Sequence, residues 1–81
     1  MALRLRELKK GDIAIVDRVT AEKNLGKRIR DLGIIKGAKI QIIGEAPLYD
    51  PVAIKVGDTV LTLRNNEADY IFVTKGEGKH E

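Results

Sequence analysis

The sequence predicts a mainly β domain, a small and strongly bent five-stranded barrel with one short helix after its first strand. Two spaced segments carry that expectation. Leu32-Gly33-Ile34-Ile35-Lys36-Gly37 ends a short basic helix on glycine and passes at once into a strand. Ala46-Pro47-Leu48-Tyr49-Asp50-Pro51 interrupts that strand with two prolines, which cannot donate ladder hydrogen bonds. A third observation is the close spacing of short runs that alternate apolar and polar residues between tight turns.

Each element follows from its own residues. Residues 5–12 place Leu5 and Leu8 three apart and stop at Gly11, the pattern of one helical turn or a bent lead-in that lays both leucines on the core. Residues 13–19 alternate as a strand, with Ile13, Ile15 and Val19 on one face and Ala14, Val16 and Arg18 on the other. Asn24 is placed to cap a helix whose stripe is Leu25, Ile29 and Leu32, at i, i+4 and i+7. Lys27, Arg28 and Arg30 take its other faces, and Gly33 suits the left-handed position that closes it. Gly26 inside the first turn weakens the helix by up to about 1 kcal/mol and points to close backbone packing.

Residues 39–46 form the second strand. Residues 52–56 form the third, with Val52, Ile54 and Val56 alternating against Ala53 and Lys55. Gly57-Asp58 turns the chain in a tight hairpin into the fourth strand, 59–63. Residues 64–68 read as a polar 3₁₀ turn, and 69–74 as the last strand. Tyr70 and Phe72 share a face there, a spacing that favours core packing over a base-stacking platform. The expected core contains Ile15, Leu32, Ile42, Ile54, Leu61 and Ile71. Five such strands and one helix describe an SH3-like barrel spanning residues 1–74, with 75–81 as a disordered tail.

Composition excludes most chemistry. A core of this size buries only about 60–65% of the unfolded chain's surface, so little of the chain is spare for a deep cavity. There is no cysteine, which removes disulfides and thiolate metal sites. There is also no serine, and the single histidine, His80, stands in the expected tail, away from any threonine it would have to activate. No catalytic residue, cofactor site or metal site is expected, although weak visits by hard cations to carboxylates remain open. No run approaches the roughly 20 apolar residues of a membrane span, and the N-terminus lacks a signal-peptide core, so a cytoplasmic location without membrane insertion is expected.

The charge is uneven. The net value is +3, but residues 1–39 hold eleven Lys and Arg against five Asp and Glu (+6), and residues 40–81 hold four against seven (−3). A solvated basic face and a docking surface for an acidic partner both fit that asymmetry. Nucleic acid is the less favoured partner, because the chain offers only three aromatics, Tyr49, Tyr70 and Phe72.

In order and spacing the chain resembles the FeoA family of small SH3-like accessory proteins of ferrous-iron uptake. The resemblance rests on Leu5, Leu8, Gly11 and Asp12, on Arg28, Asp31, Leu32, Gly33 and Ile34, and on Gly37. It continues through Ala46-Pro47-Leu48, Asp50 and Pro51, then Leu61, Leu63, Arg64, Glu67 and Ala68. It covers residues 5–74. Members usually carry glycine where Tyr49 stands and often proline where Lys36 stands. A similar domain forms the C-terminal part of iron-dependent repressors, so a stand-alone homologue of that domain and a nucleic-acid-binding barrel are the alternatives.

The resemblance implies a non-enzymatic module that docks on the cytosolic part of a GTPase-linked ferrous-iron permease. Four residues are expected to carry the docking. Leu48 and Tyr49 lie between two prolines that stiffen their loop, so presenting them loses little entropy on binding. Arg28 and Arg30 would steer an acidic partner. The alternative for Leu48 is that it folds back to cap the core.

Overall fold

The computed structural model describes residues 2–45 and 51–75. The expected SH3-like architecture stands, built on six antiparallel strands rather than five: β1 Leu3–Arg4, β2 Ile13–Val19, β3 Lys39–Glu45, β4 Val52–Val56, β5 Thr59–Leu63 and β6 Ile71–Lys75. Helix α1 spans Lys23–Asp31 and the one-turn helix α2 spans Asn65–Ala68. The sheet order is β1-β6-β2-β3-β4-β5. The strand missing from the sequence reading is β1, two residues long, with Leu3 opposite Val73 and Arg4 opposite Phe72. Two residues carry no periodicity, so only the pairing reveals it. At the other end β6 includes Lys75, one residue past the expected boundary, and the expected tail otherwise lies outside the described residues.

The sheet curls so that its two edges meet through their flanking turns. A 3₁₀ turn, Leu5–Glu7, follows β1 and packs against α2, which follows β5. Arg6 Nε donates to Asp69 Oδ1 at 2.5 Å across that junction. Leu5 and Leu8 are buried as their spacing predicts. The core inside the curl is aliphatic: Leu5, Val16, Ile29, Ile34, Ile40, Ile42, Ile54, Leu63, Ile71 and Val73 are its largest fully buried side chains. No polar residue is buried with them among the described residues, so the core holds together by area removed from water.

Ile42, Ile54 and Ile71 take the core positions expected of them, and Leu61 is half-buried against the same cluster. Ile15 and Leu32 do not, being 38% and 41% exposed. In β2 it is Ala14 and Val16 that face inward. Residues 13–16 are apolar on both faces, so alternation alone does not choose, and a one-residue difference in register inverts every side chain. Register is set by the neighbours, with Ala14 opposite Ile40 on β3 and Val16 opposite Val73 on β6. The β2–β6 pairing then shifts between Val16 and Arg18, a bulge that changes which residues point inward beyond it. Tyr70 and Phe72 also leave the core, because Ile71 and Val73 occupy it. Phe72 is instead covered by the Arg18 guanidinium, 4.7 Å from the ring centroid.

Helix α1 begins one residue earlier than its expected cap. Glu22 holds the N-cap position without a side-chain cap bond, and Asn24 lies inside the helix. The chain enters through Lys23 at φ +56°, in the left-handed region. That turn folds the helix back over Ala21, and a Cβ added at Gly26 would lie 2.3 Å from the Ala21 carbonyl oxygen. Only glycine fits there, which is the close backbone packing the sequence signalled. Gly33, at φ +96°, ends the helix as expected, its N–H donating to the Arg30 carbonyl at 2.9 Å. Leu32 is exposed because the helix stops at Asp31, before the stripe completes its second turn.

Residues 64–68, expected as a 3₁₀ turn, form one α-helical turn instead. The β4–β5 hairpin is as expected: Val56 pairs with Thr59, leaving Gly57 and Asp58 as a two-residue loop with positive φ only at Gly57.

Candidate functional site

The α1–β3 connection and the β4–β5 turn lie at the same end of the sheet, since Ile40 at the start of β3 is opposite Val56 at the end of β4. A Cβ at Gly33 would lie 3.6 Å from Val56 Cγ1, so the end of α1 is packed on this corner too. Residues 33–38 form a tight bridge into β3. Ile35 N–H donates to the Gly33 carbonyl at 3.0 Å, Ala38 N–H to the Ile35 carbonyl at 2.9 Å, and Gly37 N–H to the Val16 carbonyl at 2.8 Å. With its backbone so tied, the segment turns Ile34 into the core and leaves Ile35 half in solvent, at 51% exposure. Leu32 and Ile35 are thus two exposed aliphatic side chains on a rigid corner.

Beside them the outer face of the sheet is basic. Gln41 on β3 is directly opposite Lys55 on β4, and Lys39 lies two residues before Gln41 on the same face. Lys39, Gln41, Lys55 and Gly57 line an open cleft of about 190 Å³. Neither Lys39, Lys55 nor the neighbouring Lys36 forms an ion pair among the described residues. Two unpaired ammonium groups as diagonal neighbours repel one another slightly, a cost that an acidic side chain placed between them removes. This corner, apolar on one side and cationic on the other, can receive an acidic peptide or loop with one or two apolar residues.

The expected docking residues are distributed differently. Leu48 and Tyr49 lie outside the described residues. Arg28 is engaged within the fold, its Nη2 paired with Glu67 Oε2 across the α1–α2 gap. Arg30 is exposed and forms no ion pair among the described residues. Lys27 is paired with Asp31 one helical turn on, at 2.9 Å. The helix therefore offers less free positive charge than its sequence suggests. The cleft lysines were not legible as a pair, because Lys39 and Lys55 become neighbours only through the β3–β4 register. A signal existed in that both interrupt apolar alternation on the polar face of a strand.

No group of three His, Cys, Asp or Glu side chains among the described residues is arranged to hold a metal ion. No helix among them is long and apolar enough to cross a membrane.

Comparison with known proteins identifies the same fold and a family for the chain. The chain is 38% identical, over 71 residues, to an Fe(2+) transport protein A/Fe(2+) transporter FeoB fusion protein of Porphyromonas gingivalis. The match takes in 88% of this chain and spans 8% of the length of that relative. Among solved structures, the FeoA protein of Chlorobium tepidum superposes with a TM-score of 0.83 at 42% identity, over 90% of this chain and 70% of that one. Zinc-complexed FeoA of Stenotrophomonas maltophilia, described as a prokaryotic SH3 domain protein, superposes with a TM-score of 0.77 at 31% identity, over 91% and 89% of the two chains. The FeoA domain model matches residues 3–75, from the first strand to the last. With the match running the full length of the sheet, the chain belongs to the FeoA domain family.

Proposed function

We propose that this domain is a non-enzymatic docking module of cytoplasmic ferrous-iron uptake, binding the cytosolic, GTPase-bearing part of an iron permease. The observation that carries the reading is the Porphyromonas gingivalis relative, in which a similar domain is joined in one polypeptide to a ferrous-iron transporter. Such fusion holds two modules at high effective concentration, an arrangement that serves partners acting on each other. The corner of Leu32, Ile35, Lys39 and Lys55 supplies apolar area and unpaired positive charge for that contact, without any catalytic group. Arg30 is a further candidate contact on the structure, and Leu48 and Tyr49 are candidates on the sequence alone. The transported ion is cargo of the permease, and the domain acts on it only through its partner.

The test is association of the chain with the purified cytosolic domain of a ferrous-iron permease, followed by biolayer interferometry at low and high salt. The Lys39→Glu/Lys55→Glu variant is expected to lower the association rate and flatten its salt dependence. Ile35→Asp and Tyr49→Ala are expected to speed dissociation. Binding unchanged in all three variants, each shown folded by circular dichroism, would exclude this surface. Absence of binding by the wild type would exclude the partner.

A further inference from the structure

Strand β5 is an open edge of the sheet, and it lacks the devices that usually guard one. Its sequence, Thr59-Val60-Leu61-Thr62-Leu63, holds no charge and no proline, and its pairing with β4 contains no bulge. Val60 is 59% exposed, the most exposed of the large hydrophobic side chains among the described residues. In a two-residue hairpin the closing pair, here Val56 and Thr59, is hydrogen-bonded, so Thr59, Leu61 and Leu63 direct their backbone groups towards β4. The N–H and C=O groups of Val60 and Thr62 therefore point away from the sheet. None of them takes part in the turn and loop hydrogen bonds of the described residues.

The charges flanking this strand are related by symmetry. Asp58 precedes Leu61 by three residues and Arg64 follows it by three. Neither side chain forms an ion pair among the described residues. We propose that β5 pairs with β5 of a second copy of this chain, antiparallel and centred on Leu61, in a weak two-fold dimer.

Three consequences of that register agree with one another. Val60 stands opposite Thr62 of the second copy, so all four outward groups of each strand find partners in a hydrogen-bonded pair. Leu61 meets its own copy across the axis on the inner face, where it is only half-buried in one chain. Asp58 comes opposite Arg64 of the second copy at both ends of the ladder. Moving the centre to Val60 or Thr62 also preserves the hydrogen-bond parity, but leaves both charges opposite uncharged residues. A five-residue ladder buries less than a standard interface, so the dimer is a low-affinity one.

Sedimentation velocity of the full chain from micromolar to millimolar concentration tests this, together with hydrogen exchange of the Val60 and Thr62 amides over the same range. The wild type is expected to dimerise towards the millimolar end, with protection of both amides rising in step. Val60→Lys is expected to abolish association, and Asp58→Arg to weaken it about tenfold or more by setting like charges opposite one another. The double variant Asp58→Arg/Arg64→Asp is expected to recover it, because the exchanged charges meet again. A wild type that stays monomeric with unprotected amides, or a dimer indifferent to Val60→Lys, overturns the proposal. Failure of the double variant to recover what Asp58→Arg loses overturns the antiparallel register centred on Leu61.

Discussion

Glu67 holds Arg28 with one carboxylate oxygen and its own helix start with the other. Oε2 pairs with the Arg28 guanidinium, while Oε1 accepts the Arg64 backbone N–H at 2.9 Å. Glu67 is only 13% exposed, so this carboxylate fastens α1 to the turn after β5 from a sheltered position. Removing both roles with Glu67→Ala should lower stability by about 1–2 kcal/mol, the usual cost of losing a helix-start hydrogen bond together with an ion pair. Arg28→Ala should cost no more than about 1 kcal/mol, because its own side chain is largely solvated. Urea midpoints at constant m-value measure both, and equal losses would show that the Arg64 N–H bond contributes nothing. Arg28→Glu sets two carboxylates against each other, so Arg30→Glu is the cleaner probe of charge steering on this helix.

Replacing Gly26 by alanine should destabilise the domain even though alanine is the better helix former by about 1 kcal/mol. The added Cβ meets backbone, the Ala21 carbonyl, which has no rotamer to move away. A loss of about 2 kcal/mol or more in denaturant unfolding is expected, within the range for overpacking. A gain would mean that the Ala21 turn yields freely.

Lys23→Gly should act in the opposite direction. A non-glycine residue in the left-handed region carries about 1–2 kcal/mol of steric cost, and Lys23 sits there at φ +56°. Glycine relieves that cost but adds freedom to the unfolded chain, so a net stabilisation of about 0.5–1 kcal/mol is expected from the chemical midpoint. No rise in midpoint would place the turn's conformation outside the strained region.

Truncations in the core should separate the two readings of β2. Ile54→Ala removes a fully buried side chain and should cost about 2–4 kcal/mol. Ile15→Ala should cost about 1 kcal/mol or less, since its side chain already faces water in part. Comparable losses at the two positions would invert the inward face assigned to β2.

The elements whose signals were local could be read from the sequence. Gly33 and Gly57 both take the positive φ their positions demand, and alternation placed Ile42, Ile54 and Ile71 in the core. What stayed hidden depends on pairing between distant segments. Ile13 and Ile15 resemble core residues until the register of β2 with β3 and β6 turns them outward. Leu32 completes a helical stripe on paper, yet the helix ends a residue too soon to bury it. The candidate site follows the same division: Arg28 was visible as a charge, but its partner Glu67 is contributed from beyond β5. Lys39 and Lys55 share a cleft only because two strands separated by the proline-bounded loop lie side by side.

The position of β6 has a consequence for how the chain is made. Strand β6 lies between β1 and β2, so β1 gains its strand neighbour, and β2 its second one, only when the later-made β6 is available. The β3–β4–β5 meander needs only nearby residues and can assemble while synthesis continues. Until residues 71–75 emerge, β1 has no strand to join and β2 carries an unsatisfied backbone edge. A ribosome stalled before that point would hold a nascent chain with four of the six strands able to pair, open along the line where β6 belongs.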